Sequence, residues 1–215
     1  MAATGRSHSR LDEASLDDGR VGLTWVLDEP GSRTSHALVD EGRVWLVDPT
    51  DEPAALERAL ALGKPVAVVQ LLDRHNRDCA ALAARLDVPH LKVPAGLPDS
   101  PFEVITVVNV RVWREVALWW PEARALMVAE AIGTAATYAP GPLGAGVSLG
   151  LRLWPPRRLA AYRPEHLLVG HGPALHGPGA TAALHEALAR SRRDLPRAVI
   201  ALPRALAKAR PAPPR

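Results

Sequence analysis

Two short apolar runs, Val66 to Leu72 and Leu167 to Val169, restrict the fold more than anything else in this chain. Each is apolar at nearly every position and too short for a buried helix. Each ends abruptly in a polar loop, Asp73-Arg74-His75-Asn76-Arg77-Asp78-Cys79 in one case and Gly170-His171-Gly172-Pro173 in the other. Runs that are apolar at every position, rather than every second one, belong to strands covered on both faces. Such a sheet fixes the backbone while the loop at the strand end exposes side chains, which is where α/β and αββα enzymes place chemical groups.

The elements around these runs follow from local chemistry. Val21 to Leu27, His36 to Val39 and Val44 to Val47 are β-rich runs separated by Glu29-Pro30-Gly31-Ser32 and Asp40-Glu41-Gly42, an antiparallel entry. Pro53 to Leu62 reads as a helix with Asp51 as a cap candidate, Pro53 in its first turn and Gly63 as its stop. Arg77 to Leu86 is predicted helical and Val88 to Val93 a strand. A β-meander follows over Val104 to Val108, Arg114 to Trp120 and Ala125 to Ala129, with Pro121-Glu122-Ala123-Arg124 as a tight turn. Gly133 to Gly150, full of Gly, Ala and Pro, is expected to be a loop over the site with the makings of a lid. Pro155 to Tyr162 and Thr181 to Arg193 complete the helices, the latter with Glu186 and Arg190 at an i,i+4 spacing.

The chain has 215 residues, of which 47% are hydrophobic and 23% charged, enough to bury one core of ordinary size. The expected division is a flexible leader over 1–19, one domain over 20–195 and a basic, proline-containing tail over 196–215. A formal net charge of +3 on a domain this large does not argue for nucleic acid as a partner. Cys79 is the only cysteine, which excludes an internal disulfide and points to a reducing compartment. No apolar run approaches the roughly 18 residues of a membrane span, and the first residues lack the apolar core of a secretion signal. The expected location is the cytoplasm, and a homodimer stays open.

Two β-rich halves, each followed by a helix-bearing segment, fit an α/β (α+β) architecture built as a four-layer αββα sandwich of two mixed β-sheets flanked by helices. Together with four local motifs, this order of elements resembles the metallo-β-lactamase fold superfamily over most of Val21 to His185. Val44-Trp45-Leu46-Val47-Asp48-Pro49-Thr50 is similar to the strand ending in that superfamily's Asp-x-Gly, with Thr50 in place of the glycine. Asp73 to Cys79 falls where the superfamily carries Thr-His-x-His-x-Asp-His. Leu126 to Gly133 resembles its strand ending in Gly-Asp, and Leu168 to Pro173 the strand that delivers its last histidine.

The resemblance implies a metal-dependent hydrolase, but most of the metal ligands are replaced. Laid on the motif, Arg74 and Asn76 stand at the first two histidines, Asp78 at the aspartate and Cys79 at the final histidine. Arg111 falls near the middle histidine, Glu130 at the bridging aspartate, and His171 matches the last histidine. Guanidinium offers no lone pair to a metal, so one of the two metal positions is lost. Asp78, Cys79, Glu130 and His171 remain as a set able to hold a single Zn²⁺, Fe or Mn ion. The competing arrangement is metal-free: Arg74 and Arg111 supply the missing positive charge to Asp78 and Glu130 through ion pairs, and this one is favoured.

Two functions therefore stay open. One is hydrolysis of an ester, thioester or other anionic small molecule, with Asp78, His171 and His75 as catalytic groups and Arg74, Asn76 and Arg111 as substrate contacts. The other is a non-catalytic small-anion-binding or regulatory module using the same arginine-containing pocket. His75 is balanced between a ligand in a register shifted by one residue and a solvent-facing loop histidine. Gly170 and Gly172 favour a site role for His171, because they permit close backbone approach.

Overall fold

The computed structural model describes residues 9–16, 20–29, 31–75 and 77–208. A first sheet is formed in the order of the chain by β1 (Ser9–Leu16), β2 (Arg20–Leu27), β3 (Thr34–Asp40), β4 (Arg43–Val47), β5 (Lys64–Gln70) and β6 (His90–Lys92). Its first four strands are antiparallel hairpin neighbours, and β4, β5 and β6 run parallel. The crossovers between the parallel strands are α1 (Pro53–Ala61) and α2 (Cys79–Leu86).

The second sheet begins with β7 (Glu103–Val110), β8 (Trp113–Trp120) and β9 (Ala125–Val128), an antiparallel meander. A small ribbon of β10 (Ile132–Gly133) and β11 (Gly146–Val147) follows. Then β12 (His166–Val169) returns parallel to β9, with β13 (Leu175–His176) antiparallel on its outer edge. Helices α3 (Gly179–Arg190) and α4 (Leu195–Lys208) close the described chain.

Three cores separate four layers, and the strands show why. Along β4, Val44 and Leu46 face α1 and α2, whereas Trp45 and Val47 face the second sheet; Val68 and its neighbours Ala67 and Val69 divide in the same way on β5. Along β9, Leu126 and Val128 pack toward α3 while Met127 enters the space between the sheets. The period-2 alternation of side chains thus serves two apolar interfaces at once, as the unbroken apolar runs require. Between the sheets, Phe102 stands edge-on to both Trp45 and Trp120, with ring centroids 5.3 and 5.4 Å away.

Several local expectations change. The leader is expected to be loose, yet Ser9–Leu16 is a full antiparallel partner of β2. Backbone pairing with an existing edge supplies the order that side-chain periodicity does not announce. The proline-containing tail is helical from Leu195 to Lys208: Pro196 occupies the first turn, where its missing N–H costs nothing, and Pro203 stands inside the helix. Asp51 does not cap α1; Glu52 is the N-cap residue without a side-chain bond, and Asp51 is paired with Arg85. Arg190 pairs with Asp194 rather than Glu186, whose carboxylate accepts the N–H of Leu143. The segment expected to be a lid is pinned: Thr134 and Ala135 donate to His171 O, and Arg152 reaches inward to Tyr138 O.

Candidate functional site

The ends of β4, β5 and β12 and the start of β3 meet at one edge of the sandwich, where the two sheets are stitched together. Thr34 N donates to Gly170 O at 2.9 Å, Gly172 N to Ser32 O at 2.8 Å, and Thr34 Oγ1 to Gly172 O at 2.6 Å. Gly170 is obligatory here, since a Cβ would stand 2.1 Å from Ala129 O, and Gly172 has a φ of +93°. Between these glycines His171 is held through Nδ1, bonded to Gly31 O at 2.8 Å. Burial brings its imidazole down to about 4, with Arg77 and His75 adding to the effect against the Gly31 bond. His171 is therefore neutral near pH 7.

The loop after β5 alternates in the opposite phase to the one the motif comparison implies. His75 and Arg77 point inward, Cys79 is sealed in the core at the start of α2, and Arg74 stands at the mouth. Arg77 is the centre of the site: Nη1 donates to Thr34 O and to Asp48 O (3.0 Å) and Nη2 to Gly170 O (2.7 Å), while its Nε is sealed from solvent without a partner. One guanidinium thus ties the ends of strands from both sheets. His75, its side chain 8% exposed, places Nδ1 3.3 Å from Asp48 Oδ2, with its ring 5.9 Å from that of His171. Asp48 adopts a left-handed φ of 45° that turns its carboxylate inward, where it also accepts Leu71 N. Burial works to raise this carboxyl, but His75, Arg77 and the Leu71 N–H together hold it below its ordinary value. Thr50, at the glycine of the superfamily's Asp-x-Gly, is locked between Trp25 Nε1 and Ser35 Oγ.

At the mouth, the Arg74 guanidinium lies over the Trp113 ring at 3.8 Å and reaches Glu130 at 3.4 Å. Below it, Glu115 is fully buried and accepts from Trp113 Nε1 and from the N–H groups of Glu130 and Ala131. Burial raises its pKa despite those bonds. Tyr138 donates to Glu130 O, and burial pushes its phenol well above the ordinary range.

The expected residues are thus brought together only in part. His75 and His171 face each other, and Arg74 meets Glu130. Arg111 does not join them, because it lies in the exposed two-residue turn between β7 and β8. Asp78 turns its Oδ2 to Asp51 N at 2.8 Å. Burial pushes the Cys79 thiol up to about 12. Asn76 lies outside the described residues. Sequence reasoning does not single out Arg77, Glu115 or Tyr138, and quotes Asp48 only as part of a strand end. A usable signal exists for Glu115, a carboxylate at the head of the apolar run Val116 to Trp120.

The donor set does not fit a divalent ion. A site needs three or four lone pairs directed at one point, and among the described residues no three His, Cys, Asp or Glu side chains gather that way. Three of the four expected ligands are turned elsewhere, Asp78 Oδ2 to a backbone N–H, Cys79 to the core and Glu130 toward Arg74. His171, bonded through Nδ1 to a carbonyl, keeps Nε2 as a lone donor without a second ligand beside it among the described residues. At the strand ends the enclosed positive charge belongs to Arg77.

Solved structures agree with this architecture. A metallo-β-lactamase from Pontibacter korlensis superposes with a TM-score of 0.55 at 12% identity, over 84% of this chain and 99% of that one. A diflavin flavoprotein A 5 fragment from Nostoc sp. PCC 7120 gives 0.58 at 13%, over 88% and 98%. The chemotaxis sensor ODP from T. denticola, in its apo state, gives 0.52 at 13%, over 84% and 94%. No family model and no curated protein sequence matches the chain. The chain has the metallo-β-lactamase fold, as its motifs imply.

Proposed function

We propose that this protein is a metal-independent, non-hydrolytic module of the metallo-β-lactamase fold that binds a small anion, a carboxylate or a phosphate ester, at the mouth held by Arg74. The observation that carries the reading is Arg77. Its guanidinium supplies, as a permanent and immovable charge, the positive field that a metal ion would otherwise provide at the junction of the two sheets. A hydrolase of this fold needs an ion to activate water, and among the described residues no three of the expected ligand types converge to hold one.

The mouth supports anion capture. Arg74 is oriented by Trp113, and its 3.4 Å contact with Glu130 is long for a charge-assisted bond, so a bidentate anion competes with it favourably. That one solved structure of the same fold is a chemotaxis sensor accords with a binding role.

Thermal melts of the full chain with inorganic phosphate and with citrate test the proposal. A ligand at a hundred times its Kd adds about 2.7 kcal/mol of stability, read as a rise in Tm that Arg74→Ala abolishes. Hydrolysis of carboxylic or phosphate esters that appears on adding Zn²⁺ or Mn²⁺, with no response to either anion, overturns it.

A further inference from the structure

The charge of this chain is unevenly placed. Seven of its 26 lysine and arginine residues fall in the last 25 positions, against the single acid Asp194; the preceding 190 residues hold 19 cations and 22 acids. Asp194 is itself engaged by Arg190 and Arg197. A basic end on an otherwise acidic molecule marks a surface for an anionic partner.

Apolar exposure is concentrated at the same end. Among the described residues seven large hydrophobic side chains are exposed, and five of them are Leu143 (48%), Leu153 (45%), Trp154 (74%), Val199 (54%) and Ile200 (65%). Hydrogen bonds gather their segments around α4. Arg192 Nε donates to Leu153 O at 2.8 Å, and Arg197 Nη2 to Ala139 O and Pro140 O at 2.6 and 2.8 Å. Among the α4 side chains that are described, Ala198 is the buried one, whereas Pro196, Arg197, Val199, Ile200 and Pro203 are exposed. At about 100° per residue those five positions form one continuous arc, apolar apart from Arg197.

We propose that α4 and the Leu153–Trp154 turn form a peripheral docking face for an anionic lipid bilayer. A basic amphipathic helix with an exposed tryptophan beside it meets both halves of such a surface, the apolar side chains entering the acyl boundary and the cations pairing with headgroups. A nucleic acid would use the cations but leave Trp154, Val199 and Ile200 in water. A second copy of the chain, related by a two-fold axis, would set this basic face against itself.

The test is cosedimentation of the full chain with large vesicles of phosphatidylcholine, with and without about one-third phosphatidylglycerol. Binding is expected to the anionic vesicles, at least about tenfold weaker to the neutral ones, and falling as salt rises. The double variant Trp154→Ala, Val199→Ser is expected to bind the anionic vesicles about tenfold less tightly with an unchanged Tm, since both side chains are exposed. The proposal is overturned if the protein stays in the supernatant at low ionic strength, or if the double variant binds as the parent does. It is equally overturned if duplex DNA competes the protein off the vesicles while the variant binds DNA normally, or if light scattering shows a dimer that the variant dissolves.

Discussion

Substituting methionine for Arg77 keeps an unbranched apolar stem and removes its charge and its donors, so the carbonyls of Thr34, Asp48 and Gly170 lose a partner inside the junction of the two sheets. Gly170 O keeps the N–H of Thr34, so the Thr34 and Asp48 carbonyls are the ones exposed to the loss, at about 1–3 kcal/mol for a buried acceptor left unpaired. Arg77→Met is therefore expected to lower the unfolding free energy by about 2 kcal/mol or more, read from urea denaturation, whereas Arg111→Met at the exposed turn leaves it unchanged. His36 and His171 set the acid limit. Burial brings both to about 4 in the folded chain, against about 6.5 unfolded. Between those values the unfolded chain binds more protons at these two sites, so their contribution is level above neutral pH, lowers stability as pH drops from about 6.5 and is complete below about 4. There protonation of Asp48, held below its ordinary value, lowers stability further. The loss is at most about 3 kcal/mol for each histidine, and His171→Gln is expected to remove its share in chemical denaturation followed from pH 8 to 4. At this scale the sequence was legible for residue types and misleading for direction. The loop's motif was recognisable, but its side chains alternate in the other phase, so Arg77 and not Arg74 is enclosed. A one-residue shift of this kind exchanges every inward side chain for an outward one, and no spacing within Asp73 to Cys79 reveals it.

The close approach of β9 and β12 depends on the absence of a side chain at Gly170, where a Cβ would collide with Ala129 O at 2.1 Å. Backbone cannot yield as a side-chain tip can, so Gly170→Ala is expected to cost about 1–3 kcal/mol or more and to displace the carbonyl that Arg77 holds; a Tm measurement beside Gly96→Ala, where nothing lies within 4 Å, isolates the effect. Elements with strong periodicity or unbroken apolar runs were readable: β4, β5, β8, β9 and β12 lie where the sequence puts them, because burial on two faces leaves no other composition. So was the Glu41-Gly42 hairpin turn, whose two residues both take positive φ, 50° and 72°. Elements that depend on docking were not. β1 has no alternation of its own and is ordered by its pairing with β2, and the prolines that suggest a solvated tail occupy α4 without ending it.

Across the whole molecule, the two sheets are joined at one edge by backbone contacts and by one half-buried cation, Arg77, while the opposite faces are covered by helices and the basic helix α4 packs on the segment around Ala139 and Pro140. The fold is that of the metallo-β-lactamases; the junction of its two sheets holds a guanidinium. If that charge takes the place of an ion, neither stability nor anion binding depends on a divalent metal, and an order-of-magnitude excess of EDTA leaves the melt unmoved. Elemental analysis of the full chain, purified without chelator or affinity metal, tests the Arg77 assignment. Zinc, iron and manganese each far below stoichiometry are the expected result; about one metal ion per chain, bound tightly enough to survive purification, contradicts it.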